Sequence, residues 1–134
     1  MNSHVTFKLA KLLKEKGFEQ MTQTMYHISG EDFYNINEGI VTDINYFPRP
    51  IIADVVMWLY DTYGIWISID YRPNHKDWSY NYSNINWSIE EFDKQLKKDI
   101  DMILEEIFDY KIKFNSPKEA YEAAIEYCLT ELIK

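Results

Sequence analysis

The sequence predicts an α+β fold: a small antiparallel sheet of three to five strands with about four helices packed mainly on one face. Segments with apolar residues at helical spacing are interspersed with short segments in which apolar and polar residues alternate. The strand-like segments follow one another through short turns, which favours antiparallel pairing over a doubly wound sheet. At 134 residues the chain has the length of one domain, and we predict a single domain over residues 1–134.

The first predicted helix covers residues 4–16, where the apolar side chains fall on one face. Ser3 is its predicted N-cap, and Gly17 suits the position just after its end. Residues 22–28 alternate in the manner of a strand. Two further segments around Gly39 are candidates for short strands, residues 32–36 and 40–44.

A Pro-led helix and a strand form the clearest unit of the sequence. Pro50 suits the first turn of a helix because its missing N–H would be unpaired there. Gly64 ends this helix, and residues 65–71 follow at once with strand alternation. Residues 77–87 are predicted to pair with that strand in antiparallel fashion across a Pro-Asn turn.

The last third of the chain predicts two helices. Ser88 with Glu91 has the spacing of a capping box and begins a helix over residues 88–108. Residues 111–114 are a candidate short strand. The segment Ser116-Pro117-Lys118-Glu119 combines an N-cap, a first-turn proline and an acid at the third position, and predicts a helix to Ile133.

Composition excludes several classes of function. The net charge of −8 opposes the phosphate neutralisation that direct nucleic-acid binding needs. The chain contains no apolar run long enough to span a membrane, and lysines interrupt its N-terminal apolar residues where a secretory signal needs a continuous apolar centre. Its single cysteine, Cys128, cannot form an internal disulfide, which agrees with a reducing compartment. We therefore expect a cytoplasmic protein.

The stretch RPNHKDWSYNYSNINW at residues 72–87 raises the main functional question. In a strand, Trp78, Tyr80 and Tyr82 share one face. In the preceding strand, the Trp66 side chain points to the face opposite to that of Ile65. Exposed aromatic side chains in numbers mark interfaces, so the favoured function is protein–protein contact, with a partner or in a homodimer. The alternative is a structural role, in which the rings cover the face of the sheet on which the helices pack.

A second hypothesis assigns the same hairpin to a small ligand or to an enzymatic reaction. Asp70, His75 and Asp77 would be its polar residues, beside the aromatic rings. Neither H-E-x-x-H nor C-x-x-C occurs, and Cys128 falls on an apolar helix stripe, where cysteine is usually a small buried side chain. We therefore predict no metal, no cofactor and no catalytic residue.

A third hypothesis is that the acidic helix at 88–108 mimics nucleic acid and inhibits a DNA-processing protein. Its carboxylates are numerous, but Glu90 with Lys94 and Asp93 with Lys97 are pairs of favourable spacing. Such pairs are typical of a solvated helix face.

Three segments carry a resemblance: KLLKEKGF at 11–18, MWLYDTYGIWISI at 57–69 and FNSPKEAYEAAIEYCLTELI at 114–133. They resemble a group of small uncharacterised proteins of Bacteroides-type bacteria and their phages. The resemblance implies a small α+β accessory protein of mobile or phage-derived DNA, with no assigned activity. The chain departs from the group at WLYD, where many members carry a charged WLRE.

Overall fold

The computed structural model describes residues 3–35, 39–73, 76–84, 94, 96–98, 100 and 114–133. These residues form helices and two antiparallel sheets, of three strands and two strands, so the predicted α+β class is confirmed. The chain divides into two compact units: residues 1–57 with 122–134 form the first, and residues 58–121 form the second. Each sheet belongs to one unit. The single domain stays a prediction.

The named elements are listed here in chain order. They are α1 (Phe7–Glu15), β1 (Thr24–His27), β2 (Asp32–Tyr34), β3 (Tyr46–Pro48), α2 (Ile52–Tyr63), β4 (Ile65–Arg72), β5 (Asp77–Asn84) and α3 (Pro117–Tyr127), which continues into a π-helical turn (Cys128–Leu132). Residues 94, 96–98 and 100 are also helical, and the rest of the predicted 88–108 helix, with its Ser88 cap, lies outside the described residues. Within the described part, every helix is too short or too polar to cross a bilayer.

Helix α1 starts three residues later than predicted. Its N-cap is Thr6, whose hydroxyl accepts a hydrogen bond from the Leu9 N–H at 3.3 Å. Ser3 is not the cap, because the chain before Thr6 is occupied elsewhere: the Ile52 N–H donates to the Ser3 carbonyl, and the Val5 N–H donates to the Pro50 carbonyl. These backbone bonds hold residues 3–5 extended against residues 50–52.

The end of α1 agrees with the prediction. Gly17 has a φ of +84°, in the left-handed region that favours glycine. The Phe18 N–H donates to the Leu13 carbonyl and the Gly17 N–H to the Lys14 carbonyl, which is the Schellman pattern. Both bonds satisfy carbonyls that the last helical turn leaves unpaired.

In the first unit, α1 packs on one face of the three-stranded sheet, whose order is β2–β1–β3. Tyr26 pairs with Phe47 across the sheet, so the two side chains share a face. Phe7 of α1 contacts both rings edge-on, at centroid distances of 5.5 and 5.6 Å. The Tyr26 hydroxyl also donates to the Val5 carbonyl at 2.6 Å. This face of the sheet is therefore the helix-covered one.

Strand assignment between residues 31 and 48 differs from the prediction. β2 is shorter than the predicted 32–36, and residues 39–44 are not in a strand; the third strand is β3, which ends in Pro48. Sequence patterns do not predict β3, because it ends in a proline and proline is rare in strands. It is tolerated here at the end of an edge strand.

The core of the first unit brings α1 together with the C-terminal helical segment. Its fully buried members include Leu9, Ala10, Leu13, Ile52, Val55, Ala124, Ile125, Cys128 and Leu129. The small side chains of this set permit close backbone approach. Cys128 thus has the buried position that its place on the apolar stripe predicts.

Gly64 and a strand follow helix α2 as predicted, but the helix begins at Ile52, so Pro50 precedes its first turn and is not part of it. Gly64 has a φ of +70°, and its N–H donates to the Tyr60 carbonyl at 2.9 Å, closing α2. Strand β4 then begins at Ile65 and pairs with β5 in antiparallel fashion. Phe114 forms an isolated bridge with Trp78 on the other side of β5. The predicted strand at 111–114 is described only at this residue.

The start of α3 also follows the prediction. The Ser116 hydroxyl accepts from the Glu119 N–H at 3.2 Å, and the Glu119 carboxylate accepts from the Asn115 N–H at 2.9 Å. The Ser116 and Glu119 side chains thus each satisfy a backbone N–H at the start of the helix, as in a capping box. Pro117 is the first helical residue.

We expect Thr6→Ala to lower the free energy of unfolding by about 1 kcal/mol, because it leaves the Leu9 N–H without its cap. Chemical denaturation monitored by circular dichroism measures this change. Ser3→Ala is the matched control: Ser3 contributes its backbone carbonyl, which the substitution keeps, so its effect should be small. An equal or larger loss in Ser3→Ala would contradict the assignment of Thr6 as the cap.

Burial raises the pKa of the Cys128 thiol from 9.0 to about 12. Above pH 9 the unfolded chain loses this proton while the folded chain keeps it, so the free energy of unfolding must fall as pH rises between these two values. From about pH 8 to about pH 10 the wild type should lose about 1.4 kcal/mol more than Cys128→Ala does. Urea denaturation of both proteins at both pH values measures the difference, and parallel losses would refute it.

Candidate functional site

The pairing of β4 with β5 sorts the predicted site residues onto two faces. The register runs from Ile65 opposite Asn84 to Arg72 opposite Asp77, and residues directly opposite one another share a face. One face carries Ile65, Ile67, Ile69, Tyr71, Trp78, Tyr80, Tyr82 and Asn84. The other carries Trp66, Ser68, Asp70, Arg72, Asp77, Ser79, Asn81 and Ser83.

The predicted aromatic row lies on the face that packs within the second unit. Trp78, Tyr80 and Tyr82 are half-buried, on the same side as the buried Ile65 and Ile67. The Tyr80 ring lies 5.9 Å from the Phe114 ring, and the Trp78 N–H donates to the Phe114 carbonyl at 2.9 Å. Within this row, the Tyr80 ring packs on Phe114, and all three side chains keep part of their surface exposed.

Trp66 lies on the opposite face and is 44% exposed. Tyr60 of α2, itself 38% exposed, meets it edge-on, with ring centroids 5.6 Å apart and an interplanar angle of 84°. Such edge-to-face pairs hold both rings in a defined orientation. Sequence analysis missed Tyr60, because its approach to Trp66 depends on how Gly64 turns the chain from α2 into β4.

Polar side chains continue the row on which Trp66 lies. Asp70 is exposed, and its carboxylate accepts from the Asn81 amide at 2.9 Å. One residue separates each of these positions from the next along the strand, so Trp66, Ser68 and Asp70 point the same way. We call Tyr60, Trp66, Asp70 and Asn81 the Trp66 surface.

Two of the three residues of the predicted ligand site, Asp70 and Asp77, each bond to a different side chain, and the ligand site stays a prediction. Asp77 is 2% exposed, and both of its oxygens accept from Arg72, at 2.6 and 2.8 Å. Asp70 is bonded to Asn81 instead, and His75 lies outside the described residues. The two hydrogen bonds from the guanidinium occupy both oxygens of the Asp77 carboxylate, and they stabilise the end of the hairpin.

No group of three or more histidine, cysteine or acidic side chains that could hold a metal ion occurs in the described ranges. Cys128 is buried, and its raised pKa keeps it protonated at neutral pH, so its sulfur is a poor nucleophile. The acidic array of the mimicry hypothesis lies almost entirely outside the described residues.

Comparison with known proteins yields no relative: no family model, no curated protein and no solved structure matches the chain.

The Arg72–Asp77 pair should be strongly coupled. Arg72→Met leaves the Asp77 carboxylate buried without its partner, and we expect a loss of about 3 kcal/mol in the free energy of unfolding. The double variant Arg72→Met/Asp77→Leu removes both charges and should recover much of that loss, because a buried ion pair often contributes little net stability over apolar side chains.

A double-mutant cycle by chemical denaturation, with Asp77→Leu as the fourth protein, measures this coupling. Additive losses in the double variant would show that the two side chains act independently.

Proposed function

We propose that this protein acts by binding another protein chain, and that the Trp66 surface makes the contact. The observation that carries the proposal is the 44% exposure of Trp66, on the face opposite the buried Ile65 and Ile67. Tryptophan and tyrosine are enriched among the residues that dominate binding energy at interfaces. The fixed edge-to-face contact with Tyr60 also reduces the rotamer freedom that binding would otherwise cost.

The polar residues of the surface support the same proposal. An interface typically has an apolar centre and a polar rim, and Asp70 with Asn81 supplies a hydrogen-bonded rim beside Trp66. The net charge of −8 favours a partner with basic side chains at its own rim. The partner in this proposal is either a second copy or a different protein, and the experiment separates the two.

The proposal extends to the setting of the protein. The chain resembles small proteins of Bacteroides-type bacteria and their phages, which supports an accessory protein encoded by mobile or phage-derived DNA. Its single cysteine supports a cytoplasmic location. Cell fractionation followed by detection of the chain checks the compartment. Recovery outside the cytoplasm would refute that part.

Sedimentation equilibrium of the purified protein at low and high salt tests for a second copy. Affinity capture from cells of the source, with the captured protein identified and titrated in purified form, tests for a different partner. Trp66→Ala and Tyr60→Ala should each weaken the association by about 2 kcal/mol, roughly 30-fold in Kd, while leaving the circular dichroism spectrum unchanged.

Tyr71→Ala is the matched control. Tyr71 lies on the same strand, is 47% exposed and points to the opposite face. Its loss should leave the association unchanged. If Tyr71→Ala weakens the complex and Trp66→Ala does not, the working surface is the face of Trp78, Tyr80 and Tyr82. A monomer that captures no partner overturns the proposal.

A further inference from the structure

A cleft of about 350 Å³ lies in the first unit, on the side of the sheet away from α1. Met25 and Tyr46 line it from the sheet, and Ile40 and Val41 line it from the segment at 39–46. Met25 and Tyr46 lie on the opposite face from Tyr26, which Phe7 of α1 covers. The volume is at the lower end of the range of small-molecule sites.

Hydrogen bonds hold the segment at 39–46 at both ends. At one end, the Asn35 amide donates to the Gly39 carbonyl at 2.7 Å and to the Thr22 carbonyl at 3.0 Å. At the other end, the Lys14 ammonium donates to the carbonyls of Asp43 and Tyr46, the latter at 2.7 Å. A cleft whose walls are fixed in this way loses little conformational freedom when a ligand binds.

Asn35 and the exposed Asp43 both line the cleft, and the side chains of both carry hydrogen-bond acceptors. Asn35 uses its amide nitrogen on the two carbonyls, and no described residue donates to its side-chain oxygen. Asp43 accepts from the Asn45 N–H through Oδ1 at 2.8 Å, and no described residue donates to its Oδ2. The site therefore offers an amide oxygen and a carboxylate oxygen to a ligand that donates.

The Lys14 ammonium, which bonds to the Asp43 carbonyl, is engaged on the helix-covered side of the sheet. Lys14 does not line the cleft; its ammonium lies 5.1 Å from the centre of the Phe47 ring, on the helix-covered face. It reaches Asp43 through the backbone carbonyl. The carboxylate thus has no ion-pair partner among the described residues.

We propose that this cleft binds a small organic cation: an ammonium or amidinium head that donates to Asp43 and Asn35, on an apolar body that packs against Met25, Val41 and Tyr46. The site is separate from the Trp66 surface, which belongs to the other unit.

Three probes that share a benzyl or phenyl ring test the proposal on the unchanged protein: benzylamine, benzyl alcohol and benzoate. NMR titration follows the backbone amides of residues 39–46 and the methyl groups of Met25 and Val41. We expect benzylamine to bind with a Kd on the order of millimolar, as suits a ligand with few atoms, with benzyl alcohol weaker and benzoate weakest. Equal responses to the three probes, or none at these residues, overturn the proposal.

Asp43→Asn tests the carboxylate, since an asparagine in this position keeps an oxygen for the Asn45 N–H. The affinity for benzylamine should fall roughly fivefold, and that for benzyl alcohol should stay the same. Asp61→Asn removes the same charge from an exposed position of α2 in the other unit, outside the Trp66 surface, and should change neither affinity. Equal losses in both variants would reveal a non-specific effect of net charge and refute a site at Asp43. Neither result bears on association through Trp66.

Discussion

Eight consecutive residues of β4, Ile65–Arg72, pair with Asp77–Asn84 of β5, and this register decides the face of every side chain in the hairpin. A slip of one residue would move the buried isoleucines of β4 to the solvent side, so burial of Ile65 and Ile67 holds the register in place. The buried bidentate contact between Arg72 and Asp77 closes the far end. Trp66 is exposed as a direct consequence, because it stands between two buried positions.

In the first unit, side chains that donate hydrogen bonds to backbone carbonyls stabilise the fold. Lys14 and Asn35 each donate to two carbonyls, and between them they hold the ends of the segment at 39–46, in which only Tyr46 belongs to a strand. Such bonds satisfy polar groups that an irregular segment leaves unpaired. Asn35 and Asp43, two of the residues in these bonds, also line the cleft, so the fold of this segment brings together the residues of the proposed site.

The two proposals need different physics from their ligands. Association through Trp66 and Tyr60 depends on the burial of ring area, which salt affects little, while the cleft selects by charge and is sensitive to salt. Neither requires a nucleophile, which agrees with a cysteine that burial keeps protonated. Each surface belongs to one unit, so the residues that test one proposal leave the other unchanged.

Local sequence patterns predict the α+β class, the Gly17 and Gly64 helix ends, the Ser116 cap and the pairing of β4 with β5, because periodicity and cap chemistry are local signals. They also place Trp78, Tyr80 and Tyr82 on one face. Which face is buried, that Thr6 caps α1, and that Pro48 ends a strand are set by the tertiary fold. Each of these depends on contacts between distant segments: residues 3–5 pair with residues 50–52, Phe114 meets Tyr80, and a turn at Gly64 brings Tyr60 to Trp66. Local sequence patterns do not report such contacts. They therefore predict Trp66 and Asp70 as candidate site residues, but not Tyr60, Asn81 or the cleft.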